Sequence, residues 1–94
     1  MKTGFSVKLT VKTSTGPECL GEFYIGRDRS QAIDVFRTLL GTRDVSDNNI
    51  LFLDLVEWVQ EIPVYLDVIS CTLQQLGENS KLITKAAFKA AIAA

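Results

Sequence analysis

The chain contains no histidine. That absence removes the commonest general base, the Ser–His and Cys–His nucleophile pairs, and the usual zinc ligand set. An enzyme made from these residues would have to work through carboxylates, cysteine, lysine or a bound cofactor, and no cofactor motif is present. An excess of charge of one sign is lacking too, because 10 Lys and Arg against 11 Asp and Glu leave a net charge of -1. Nucleic-acid modules carry a positive excess, since phosphate neutralisation supplies most of their affinity. The balance here argues against that class. No apolar run approaches the roughly 18 residues of a membrane span, and the one that begins at Ile50 is halted by Asp54. Lys8 and Lys12 interrupt any signal-peptide core near the N-terminus, so the expectation is a soluble, cytoplasmic protein with no membrane partner. The 2 cysteines, Cys19 and Cys71, fit neither a C-x-x-C motif nor a zinc spacing. Both are expected to be small buried hydrophobes in a reducing compartment.

What the chain does have is apolar surface. Of its 94 residues 47% are hydrophobic, which is rich for one small domain and favours an oligomer. This length makes a single domain, 1–94, with one modest core. Phe5, Val7, Leu9 and Val11 alternate with Ser6, Lys8, Thr10 and Lys12, the period of a strand with one polar face. Thr13-Ser14-Thr15-Gly16-Pro17 is turn chemistry. A second strand follows over 19–25, with Phe23 and Ile25 expected on the buried side. Asp28 and Gln31 offer a helix start; Ala32, Ile33, Phe36, Leu39 and Leu40 form its apolar stripe, and Gly41 is expected to end it as a left-handed cap. Thr42 to Asn49 is a polar connection whose turn-forming end is Asp47-Asn48-Asn49.

The segment 50–71 is the most informative. A helical reading of 50–59 gathers Asp54, Glu57, Gln60 and Glu61 on one polar face. Pro63 and the β-formers of 64–69 favour a hairpin instead. In that hairpin Leu51, Leu53, Leu55, Leu66 and Val68 share one face, and Phe52, Val56, Trp58, Tyr65 and Ile69 share the other. A small sheet needs only one apolar face, so the second must be covered. With a loop centred on Gln60 and Glu61, Asp54 is expected opposite Asp67, Phe52 opposite Ile69, Val56 opposite Tyr65 and Trp58 opposite Pro63. Thr72-Leu73-Gln74-Gln75 is a capping box that starts a helix at Leu73. Leu73, Leu76, Ile83 and Ala87 would share its face, with a break or bend near Gly77. The order ββαββα implies an α+β fold, a four-stranded antiparallel sheet with the helices packed on one face.

The run Ser70-Cys71-Thr72-Leu73-Gln74-Gln75-Leu76-Gly77-Glu78-Asn79, followed by Ile83-Thr84-Lys85, resembles part of a group of small uncharacterised bacterial proteins. The resemblance covers about the last quarter of the chain and mostly describes a capped helix; it implies no activity.

Three candidate sites follow. The aromatic sheet face (Phe52, Val56, Trp58, Tyr65, Ile69) reads as an interface, most simply of a symmetric homodimer. Asp54 and Asp67, if opposed, would repel unless a lysine such as Lys8 or Lys12 lay alongside or a divalent cation bridged them, and two ligands are few for Mg²⁺ or Ca²⁺. A small carboxylate-dependent metal enzyme is therefore the alternative to an interaction domain. Arg27 and Arg29, flanking Asp28 at a helix start, could attract an anion, although no phosphate-loop pattern surrounds Gly26.

Overall fold

The computed structural model describes residues 3–44 and 49–93. Two hairpins, β1 (Gly4–Thr13) with β2 (Gly16–Gly26) and β3 (Leu51–Val59) with β4 (Ile62–Cys71), are each followed by a helix, α1 (Arg29–Thr38) and α2 (Leu73–Ala93). The sheet is antiparallel with strand order β2-β1-β3-β4. The 50–59 segment is thus a central strand, and the expected α+β architecture is the one formed. Val59 pairs with Ile62 across a two-residue turn in which Gln60 and Glu61 have φ of 50° and 71°. Both central residues of a type I′ turn need positive φ, and neither is the glycine or asparagine that usually supplies it.

One face of the sheet holds the core. Phe5 and Val7 of β1, Ile25 of β2, Leu53 and Leu55 of β3, and Ile69 and Cys71 of β4 are buried with Ala32 and Phe36 of α1 and Ile83 of α2. Side chains of both helices in one cluster with alternate strand residues place both helices on the same face. Among the described residues no helix lies over the opposite, outer face.

The last strand corrects the expected faces. A β-bulge between Leu55 and Val56 leaves Leu66 as an extra residue in β4. Below it the expected pairs hold, Val56 with Tyr65 and Trp58 with Pro63. Above it the register is shifted by one, so Leu53 faces Ile69, Leu55 faces Asp67, Asp54 faces Val68 and Phe52 faces Ser70. A one-residue shift exchanges the two faces of a strand. Ile69, expected outside, is 5% exposed in the core, while Val68 moves to the outer face beside Asp54.

α1 begins as expected, with the Asp28 carboxylate accepting from the Gln31 N–H at 3.2 Å. It ends earlier than expected, at Thr38, with Leu39 extended as its C-cap. Gly41 therefore has another role. The chain there runs against β4, where a Cβ on residue 41 would strike the Ser70 carbonyl oxygen. Thr42 then bridges Ser70 through N–H···O bonds of 2.9 and 2.7 Å. Asp47 and Asn48 of the expected turn lie outside the described residues.

The capping box forms in full: the Thr72 N–H donates to Gln75 Oε1 at 2.9 Å and the Gln75 N–H to Thr72 Oγ1 at 3.1 Å. α2 then runs unbroken for 21 residues, without the expected break at Gly77. Leu76 and Ile83 are on the packed face as expected, joined by Asn79 and Ala86, but Leu73 is 76% exposed. Asn79 is fully buried: its Oδ1 accepts from the Leu40 N–H at 2.7 Å and its Nδ2 donates to the Leu40 carbonyl at 2.8 Å. These bonds hold α2 against the chain leaving α1. A Cβ on residue 77 would meet nothing within 4 Å, and glycine in a helix interior costs about 0.5–1 kcal/mol relative to alanine. Gly77→Ala is accordingly expected to stabilise the fold by about that amount, read as a raised melting temperature.

Candidate functional site

The outer face is laid out in rows by the strand registers. Tyr24, Ser6, Val56 and Tyr65 form one row across all four strands. Glu22, Lys8, Asp54 and Val68 form the next, and Cys19, Thr10, Phe52 and Ser70 the one beyond. β1 and β3 are the inner strands, and their residues in the aromatic row, Ser6 and Val56, are 1% and 0% exposed. Long side chains from neighbouring positions close over them. Trp58 of β3 reaches past β1 to donate its Nε1–H to Glu22 Oε2 of β2 at 2.7 Å. The Tyr24 hydroxyl lies so close to Gly4 that a Cβ there would come within 2.6 Å of it. Lys8 Nζ donates to the Tyr65 hydroxyl at 3.0 Å and sits 5.4 Å from that ring's centroid. Ser6 Oγ is buried beneath this layer with no hydrogen-bond partner among the described residues.

The five expected interface residues are therefore not equivalent. Tyr65, 56% exposed, and Phe52, partly exposed, remain on the outer face. Trp58 is also there, but half-buried and tied to Glu22. Val56 is consumed within the chain, and Ile69 belongs to the other side of the sheet. Tyr24, which alternation with Phe23 and Ile25 turns away from the core, joins them on the outer face although it is not among the five; of the two β2 residues expected on the buried side, Ile25 is buried but Phe23 is exposed.

The opposed carboxylates do not meet. Asp54 is on the outer face directly across from Lys8 of β1, with Thr10 Oγ1 donating to it at 3.4 Å. Burial raises its pKa, while Thr10 and the Lys8 charge pull it back. The hydrogen bond to Tyr65 raises the Lys8 pKa. Asp67 accepts from Arg43 at 2.6 Å and from the Val68 N–H at 2.8 Å. A lysine alongside Asp54 is the remedy the first strand's pattern suggested, and the bulge removes the acidic pair that a bridging cation would have needed. Among the described residues no group of three or more Cys, Asp or Glu could hold a metal ion. Cys19 is exposed on the outer face, against the expectation of burial, and Cys71 is buried, which pushes its thiol pKa up. Both are free.

No family model, curated protein or solved structure matches the chain. Function therefore rests on the chain's own surfaces.

On the helix side a cleft of about 240 Å³ lies between α1 and the β3–β4 hairpin. Ile33, Phe36, Leu55 and Leu66 line it with Arg29, Arg37, Arg43 and Asp67. Of the two arginines flanking Asp28, Arg29 lines the cleft and Arg27 does not. Arg29, Ile33, Phe36 and Arg37 recur at i, i+4, i+7 and i+8, so the helical period places them on one face. That spacing was legible in the sequence; Arg43 arrives only because the chain turns back along β4.

Among the described residues no helix is long and apolar enough to cross a membrane.

Proposed function

We propose that the protein is a non-enzymatic interaction domain that self-associates, as a symmetric dimer, through the outer face of its sheet. One observation carries the reading. Both helices share the inner face, so among the described residues no helix or further strand lies over the outer-face row of Tyr24, Ser6, Val56 and Tyr65. Tyr24 and Tyr65 at the two ends of the row are exposed, with partly exposed Val68 in the next row and Phe52 in the one beyond. A two-fold interface is self-complementary. The row Glu22–Lys8–Asp54 carries both signs, so a second copy can set its lysine among the first copy's carboxylates. Aromatic residues in such a setting are typical binding anchors.

Sedimentation at micromolar concentration tests this, with Tyr65→Glu as the decisive variant. Tyr65 is exposed, so its replacement spares the core, whereas Trp58→Glu would also expose what the indole covers. Wild type is expected to sediment as a dimer and Tyr65→Glu as a folded monomer. A monomeric wild type would end the proposal.

A further inference from the structure

We propose that the cleft between α1 and the β3–β4 hairpin binds a small organic anion, a carboxylate or phosphate monoester carrying an apolar body. The site is separate from the outer face, being on the helix side of the sheet. Its walls divide the ligand's chemistry in two. Ile33, Phe36, Leu55 and Leu66 provide apolar contact from a helix and two strands, and Arg29, Arg37 and Arg43 supply three guanidinium groups. Planar guanidinium forks match carboxylate and phosphate oxygens in bidentate geometry.

The state of the three arginines points the same way. Arg29 is engaged by Glu57 at 2.8 Å and Arg43 by Asp67 at 2.6 Å, both as ion pairs open to solvent. Such pairs contribute little to holding a fold and exchange readily for a better anion. The Arg37 side chain has no ion pair or hydrogen bond among the described residues, yet it lines the same cleft. Three cations thus meet two internal carboxylates, and the surplus charge stands beside an apolar floor. The volume of about 240 Å³ is below the ~300–1,000 Å³ that encloses drug-sized ligands, so the body is a single ring or a short chain. Asp67 is itself a wall residue and competes with the ligand for Arg43.

Amide chemical-shift titration of the full chain tests the proposal, with phenyl phosphate, benzoate, inorganic phosphate and benzyl alcohol as probes. Phenyl phosphate or benzoate is expected to give saturable shifts confined to α1, Arg43, Leu55, Leu66 and Asp67. Whichever of the two binds identifies the head group. It should bind about tenfold more tightly than inorganic phosphate or benzyl alcohol, because each of those offers only half of the match. Arg37→Gln is expected to weaken binding about tenfold without lowering the melting temperature, since charge-assisted contacts are lost but no internal pair is. Asp67→Asn is expected to tighten it by freeing Arg43. The proposal is overturned if neither organic anion saturates below about 10 mM, if inorganic phosphate binds as well as they do, or if Arg37→Gln binds unchanged.

Discussion

Asn79→Ala is expected to destabilise the protein by about 2–4 kcal/mol and to lower its melting temperature by roughly 10–25 °C. The cost comes from two backbone groups at once. The Leu40 N–H and carbonyl are both held by this one side chain, at 2.7 and 2.8 Å, and Asn79 has no exposed surface. A fully buried polar group that loses its partner costs about 1–3 kcal/mol; here a donor and an acceptor of part-buried bonds lose theirs together, and the void left by the buried Asn79 side chain adds to the loss. Asn79→Asp separates polarity from shape. The carboxylate can still accept from the N–H, but it brings a charge against the Leu40 carbonyl and has no proton to donate at neutral pH, so it should be no better tolerated than alanine. Urea or thermal denaturation of the two variants gives the answer. A loss below about 0.5 kcal/mol for alanine, the range of ordinary surface substitutions, would mean that these bonds do not join α2 to the end of α1.

The second large effect tests the bulge. Ile69→Ala is expected to cost about 2–5 kcal/mol, as for a truncated core isoleucine, whereas Val68→Ala should cost about 1 kcal/mol or less because Val68 is only half-buried. Ile69 lies 5% exposed among the residues that the helices cover, opposite Leu53. A regular hairpin would reverse the order, with Val68 in the core and Ile69 outside opposite Phe52. Equilibrium unfolding of the pair therefore distinguishes the two registers, and a larger loss at Val68 would show that the extra residue is not at Leu66.

The features that could be read from the chain are those decided within a few neighbouring residues. Alternation from Phe5 to Val11 determines a strand whatever surrounds it. Asp28 and the Thr72–Gln75 box use only side chains three residues from the groups they cap. The turn at Gln60 and Glu61 follows from two β-forming segments that meet there, although its own residues are poorly suited to positive φ. The misreadings share a different character. Gly77 and the polar run after it suggest a helix break, but Asn79 in that run is the buried clamp that holds the helix down. Gly41 looks like a helix cap, and is small because β4 passes beside it.

The candidate sites divide along the same line. Arg29 and Arg37 could be paired by helical spacing, and Tyr65 and Phe52 by strand alternation. The separation of Asp54 from Asp67 could not be anticipated, since it depends on one unpaired residue in β4.

By itself the sequence determined the order of elements, the antiparallel hairpins, both helix starts and the surplus of apolar surface, because periodicity and capping act over distances of a single turn. Tertiary structure alone decided which side of β4 faces the helices, how the outer aromatics cover Ser6 and Val56, and that Arg43 joins Arg29 and Arg37. Those outcomes depend on packing between segments far apart in the chain, where one added residue reverses a face and no local pattern records it.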